Sequence, residues 1–181
     1  MEILDVQGYP VCIAREVLTK EECQSILNVS ISKLSPEDST VEWWRDRSTY
    51  LDYTPERIKL QESASFILKQ YLQATNQKMM QFPEIIQFPH VTKMEYESNY
   101  ETASFHVDGQ EFGLVFYLNE DYEGGELQYA LQQNGPVTDS ITPETGMLVI
   151  HPWEIWHGAA PVKEGIRYFM TTFVGIQIGV D

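Results

Sequence analysis

The sequence predicts a mainly β fold with flanking helices, arranged as a double-sheet jelly roll. Three observations carry this. From Pro89 onward the chain is a series of short apolar or alternating runs separated by turn residues, the pattern of regularly spaced strands. Two stretches with helical periodicity and helix-start signals precede that region. The turns between the runs (Asn119-Glu-Asp, Gly124-Gly125, Asn134-Gly135) are short, which suits two antiparallel sheets wrapped together.

Taken in order, Thr19-Lys-Glu-Glu22 is a capping box. The Thr hydroxyl and the Glu carboxylate each satisfy a backbone donor left free at a helix start. A helix of about three turns should follow, burying Cys23, Ile26 and Leu27. Thr54-Pro55 opens a second helix, because Pro suits the first helical position. Leu60, Ala64, Ile67 and Tyr71 then repeat at helical spacing as far as Asn76. Both helices should pack outside the sheet. Strands are expected at Val91–Tyr96, Phe112–Leu118, Glu126–Tyr129, Gly146–Ile150 and Arg167–Ile176. The stretch Leu34 to Tyr53, with Trp43, Trp44, Arg45 and Arg47, fits neither pattern. With Gly109 to Glu111 it is a candidate lid.

A chain of 181 residues, 43% hydrophobic, is expected to form one domain over residues 1–181. Residues 1–88 would supply helical support and the first strands, and residues 89–181 the jelly-roll core. The charge of −15 disfavours a nucleic-acid partner. Cys12 and Cys23 have no metal-binding spacing, the N-terminus has no basic region or long apolar run, and no apolar run approaches a membrane span. The expectation is a cytoplasmic protein with two free thiols and no membrane partner. Composition leaves the oligomeric state open.

His106-Val107-Asp108, the later His157 and then Arg167 are the residues with chemistry to offer. An imidazole and a carboxylate two residues apart on an extended segment turn to the same centre, and a distant second imidazole completes a triangular face. Two nitrogens and one hard oxygen, with no thiolate, suit Fe(II) and leave three coordination positions open. With four His and eight Asp in the chain, His-x-Asp arises by chance roughly 0.18 times, so the surrounding residues must carry the assignment. His151 competes with His157 as the distal ligand, but a histidine ending the apolar run Met147-Leu-Val-Ile reads as buried support. Trp153, Trp156 and Arg45 are candidate substrate contacts.

The surrounding segments are Gly113-Leu-Val-Phe-Tyr-Leu-Asn119, Gly124-Gly-Glu-Leu127, Gly146-Met-Leu-Val-Ile-His-Pro152 and the run from His157 through Arg167 to Thr171. Together they resemble the prolyl 4-hydroxylase-like branch of the 2-oxoglutarate and Fe(II)-dependent dioxygenases, most densely from Val91 to Val174. A looser similarity covers Val17 to Cys23, and the glycine usual between the early tyrosine and the first histidine is missing. The resemblance implies a double-stranded β-helix (jelly-roll, cupin-like) core, with Fe(II) on His106, Asp108 and His157. Arg167 would grip the far carboxylate of 2-oxoglutarate, aided by Tyr117, Thr171 and Tyr96. The spacing of ten residues to Arg167 favours His157 over His151 as ligand. The implied reaction uses dioxygen, releases succinate and carbon dioxide and hydroxylates the substrate, with ascorbate a candidate reductant. Asp108 argues against a halogenase, in which the carboxylate is replaced. The implied substrate is a prolyl residue in a peptide or protein. A free amino acid or small metabolite is the alternative, and a non-catalytic jelly-roll binding module the alternative of another class.

Overall fold

The computed structural model describes residues 1–34, 48–51, 54–78, 89–95 and 105–177. Arg45, Trp43, Trp44, Arg47 and Tyr96 lie outside the described residues, as does most of the proposed lid. The elements in chain order are β1 (Glu2–Val6), β2 (Tyr9–Ala14), α1 (Lys20–Ser30), a short 3-10 turn, β3 (Ser48–Tyr50), α2 (Pro55–Thr75) and β4 (His90–Glu95). There follow β5 (Gln110–Tyr117), β6 (Glu123–Gly124), β7 (Leu127–Ala130), β8 (Val137–Ile141), β9 (Leu148–Pro152), β10 (Trp156–Ala159), β11 (Val162–Glu164) and β12 (Ile166–Gln177).

Seven strands form the major sheet in the order β1-β2-β9-β5-β12-β4-β3, and every pairing in it is antiparallel. The facing layer consists of β10-β7-β8 and the pair β11-β6. Strand alternation sorts the core into two compartments. From β5, Phe112, Leu114 and Phe116 join Ile150, Met170 and Val174 against Cys23, Ile26, Leu60, Ala64, Leu68 and Tyr71 of the two helices. Val115 and Tyr117 turn the other way and pack with Val149, Leu127, Tyr129 and Ile141 between the sheets. Covering both faces explains why all eight residues of β5 are buried and why its sequence reads as one apolar run.

Both helix starts form as the sequence requires. Thr19 Oγ1 accepts from Glu22 N, while the Glu22 carboxylate accepts from Thr19 N at 2.9 Å. Thr54 caps α2, with Pro55 opening it and Asn76 closing it in a left-handed conformation at φ 53°. Ile67 is only partly buried, and Leu68 takes the core position beside Ala64.

Within the first 88 residues, β2 pairs with β9 and β3 with β4, which makes both part of the major sheet. Gln110 and Glu111 begin β5 and are buried, so the stretch after the His-x-Asp motif is sheet and not lid. Trp156 opens the strand β10. Cys12 and Cys23 are buried and free, and burial pushes both thiols up to about 11. Among the described residues, no helix is long and apolar enough to cross a membrane.

Candidate metal centre

Between the two layers lies a cavity of about 170 Å³. Its walls follow from strand alternation. His90, Thr92 and Met94 come from β4, and Arg167, Phe169, Thr171 and Phe173 from β12; Val115 and Tyr117 come from β5, and Leu127 from β7. His106, Asp108, His151 and His157 stand together on the same wall.

His106 and His157 are joined through the main chain. The two residues form an isolated antiparallel bridge, in which His106 N donates to His157 O at 3.0 Å and His157 N donates to His106 O at 2.9 Å. Their ring centroids stand 4.5 Å apart. Asp108 follows two residues later, and its Oδ1 lies 3.8 Å from His157 Nε2. One ligand atom from each of His106, Asp108 and His157 lies within 4.8 Å of the others, close enough to share one ion.

Protonation states suit a cation. Burial would raise the Asp108 carboxyl, but a hydrogen bond from His151 and the neighbouring imidazoles more than offset it and hold the group at about 2. Burial pushes His157 down to about 3, so its imidazole is neutral near pH 7. Its Nδ1–H donates to the Ile155 carbonyl at 3.1 Å, which leaves the Nε2 lone pair for a metal. Metal-binding histidines generally have their second nitrogen anchored in this way.

At another wall of the cavity Arg167 is 2% exposed. Its Nη1 contacts Met94 Sδ at 3.3 Å, and its guanidinium carbon lies 4.4 Å from the Phe169 ring centroid and 5.3 Å from that of Tyr117. Among the described residues no ion pair to Arg167 is formed, Arg167 Nε has no hydrogen-bond partner, and the Tyr117 hydroxyl has no acceptor. Buried polar atoms are rarely left so. Burial raises the Tyr117 hydroxyl, opposed by Arg167, so it remains a donor. A cation and a phenol without an acceptor fit the carboxylate of a ligand, and the nearby two-imidazole, one-carboxylate set fits ferrous iron. Gly125 makes room for the arginine: a Cβ there, at φ 69°, would sit 3.0 Å from Arg167 Cδ.

The structure thus brings His106, Asp108, His157, Arg167, Tyr117 and Thr171 around one cavity. It does not bring Trp153 or Trp156 there. Trp156 precedes His157 in β10 and so projects from the opposite face, while Trp153 lies beyond the end of β9. Sequence reasoning did not single out Met94, Tyr122, Tyr129 or Phe173. Tyr122 stacks its ring beside Gly125 and carries a buried hydroxyl near Arg167. Alternation along β12 was signal enough to find Phe173, six residues beyond Arg167 on the same face.

Residues 89–175 match the family model described as the 2OG-Fe(II) oxygenase superfamily. No curated protein sequence matches the chain. Among solved structures, the chain is similar to the viral collagen prolyl hydroxylase of Paramecium Bursaria Chlorella virus-1 in its 2OG complex. The TM-score is 0.69 at 17% identity, over 91% of this chain and 94% of that one. It is also similar to a Trichoplax adhaerens prolyl hydroxylase in complex with a hypoxia inducible factor peptide fragment, with TM-score 0.63 at 19% identity over 91% and 83%. A Burkholderia pseudomallei oxidoreductase of the 2OG-Fe(II) oxygenase family scores 0.60 at 14% identity over 91% and 84%. At these identities the likeness establishes the jelly-roll fold.

Proposed function

We propose that this chain, which belongs to the 2OG-Fe(II) oxygenase superfamily and is by that membership an Fe(II)- and 2-oxoglutarate-dependent dioxygenase, hydroxylates a prolyl residue in a peptide or protein. His106, Asp108 and His157 would hold the iron, and Arg167 with Tyr117 would bind the far carboxylate of 2-oxoglutarate. The observation that carries the assignment of Arg167 is its burial with Nε unpartnered, in the cavity that also holds the ligand cluster. A structural metal has no need of a diacid clamp nearby. The prolyl substrate rests on the likeness to two prolyl hydroxylases, one of them described with a bound peptide fragment.

Iron with 2-oxoglutarate and dioxygen supplies the oxidising chemistry. The protein's own part is positioning and exclusion of water. His106, Asp108 and His157 would hold the ion with three donors and leave room at it for co-substrate and oxygen. Arg167 offers two parallel donors to two carboxylate oxygens, and Thr171, on the same face of β12, lines the pocket they share. Val115, Leu127, Phe169 and Phe173 make the surroundings apolar, which strengthens that charge pairing. Tyr96 would add a hydrogen bond to the co-substrate, by resemblance alone.

The test is succinate release with Fe(II), 2-oxoglutarate and ascorbate, comparing proline-rich peptides with free amino acids. Stimulation by the peptides, with a mass gain of one oxygen on proline, is the expected result. Stimulation by free amino acids only would overturn the peptide reading. Failure to bind Fe(II) and 2-oxoglutarate anaerobically would favour a non-catalytic binding module.

A further inference from the structure

His151 stands among the proposed metal ligands on the cavity wall without a role of its own. It is fully buried in β9, and an imidazole there costs free energy unless both ring nitrogens find partners. Both do. Nε2 lies 3.3 Å from Asp108 Oδ2, and Nδ1 lies 3.5 Å from the Tyr129 hydroxyl. Since an ionised carboxylate only accepts, Nε2 carries the proton and Nδ1 accepts from Tyr129. Burial raises the Tyr129 hydroxyl well above its ordinary value, so it stays a donor. Tyr129 is in turn the register partner of His157 in β7–β10.

The position opposite His151 in β5 is Gly113. A Cβ there would stand 2.4 Å from Asp108 Oδ2 and 2.5 Å from His151 Nε2. The missing side chain is what lets the carboxylate and the ring meet, and a glycine inside an apolar strand commonly marks such a close approach. Two unusual choices on neighbouring strands therefore serve one hydrogen bond.

We infer that His151 is a positioning residue for the metal centre: held by Tyr129 and admitted by Gly113, it donates to Asp108 Oδ2 and fixes the carboxylate with Oδ1 turned toward His157. This rests on the reading of His106, Asp108 and His157 as metal ligands. His151 is not itself a ligand, because its Nε2 is committed to Oδ2 and the ligand atoms that converge come from the other three residues. Partners of this kind typically contribute 10- to 100-fold to metal affinity.

The first measurement needs no metal. Long-range proton–nitrogen correlation on the histidine-labelled apoprotein at neutral pH should find His151 as the Nε2–H tautomer, and the Nδ1–H form would overturn the inference. The second is calorimetry with Co(II) alone, comparing wild type, His106→Ala, His151→Phe and His151→Gln, with circular dichroism recorded for each. His151→Phe should bind cobalt about 10- to 100-fold more weakly, and His151→Gln, which keeps a donor amide, should recover most of the loss. Wild-type affinity in a folded His151→Phe would overturn the proposal. If His151→Phe does not fold, a His151→Gln variant as weak as His106→Ala would overturn it. Wild type indistinguishable from His106→Ala would overturn the metal-centre reading itself, and this inference with it.

Discussion

Replacing Arg167 with Met should make the ligand-free protein more stable and the ligand response weaker. The guanidinium is 2% exposed, forms no ion pair among the described residues, and leaves Nε without a hydrogen-bond partner. Burying an unpaired ion costs several kcal/mol. The rings of Phe169 and Tyr117, with centroids 4.4 and 5.3 Å away, return about 0.5–2 kcal/mol each. The net penalty is about 2 kcal/mol, which Met at similar volume removes. For a chain of this size that raises the thermal midpoint by about 4–8 °C.

The co-substrate reverses the order. Loss of a charge-assisted carboxylate pair weakens binding by about 1.5–3 kcal/mol, or about 10- to 150-fold. At a 2-oxoglutarate concentration 100 times the wild-type Kd, with Mn(II) present, wild type gains about 2.7 kcal/mol and the variant only about 0.3–1.4 kcal/mol. The assay is a thermal melt of both proteins with Mn(II), with and without 2-oxoglutarate, and calorimetry for the affinities. A variant that melts several degrees below wild type without ligand would refute the reasoning, since the cation would then be satisfied already. So would an equal response to 2-oxoglutarate.

Further outcomes can be stated. His157→Ala should abolish turnover and Co(II) binding while leaving the far-ultraviolet spectrum native; retained turnover would remove His157 from the ligand set. Thr19→Ala breaks the reciprocal cap of α1 and should cost about 0.5–2 kcal/mol in urea unfolding at constant m, so an unchanged midpoint would contradict the assigned cap. With both thiols raised to about 11, only about one in a thousand is thiolate at pH 8. A disulfide reagent should therefore label Cys12 and Cys23 at pH 8 only on unfolding; rapid labelling of the native protein would contradict their burial.

The sequence was most legible where burial is most complete. β5 and β12 lie between neighbours with both faces covered, so their apolar runs announced them. β1 was not legible, because Glu2, Ile3 and Asp5 are exposed or nearly so and only Val6 is buried, which leaves no alternation to read. Its turn carries a signal, since Gln7 and Gly8 both adopt positive φ, but Pro10 in β2 is a residue type that disfavours a strand. β8 was missed for the reason that hid β1: of Val137-Thr-Asp-Ser-Ile141, only Ile141 is buried. At the site, residue type and order pointed to His106, Asp108, His157 and Arg167, which line one cavity. The roles of Gly113, Tyr122 and Tyr129 depend on which strand lies opposite which, and β5–β9 register is not written locally in either strand.

The paired backbone bonds between His106 and His157 have a further consequence. Two residues far apart in the chain are tethered by peptide groups, so occupancy by an ion is not what assembles them. If these residues hold an ion as proposed, divalent ions should trade places there without refolding, in an order of preference set by the intrinsic affinity series for nitrogen and oxygen donors. Zinc or copper would then outcompete iron wherever they are abundant, and the catalyst's working state would be decided by the local supply of metals.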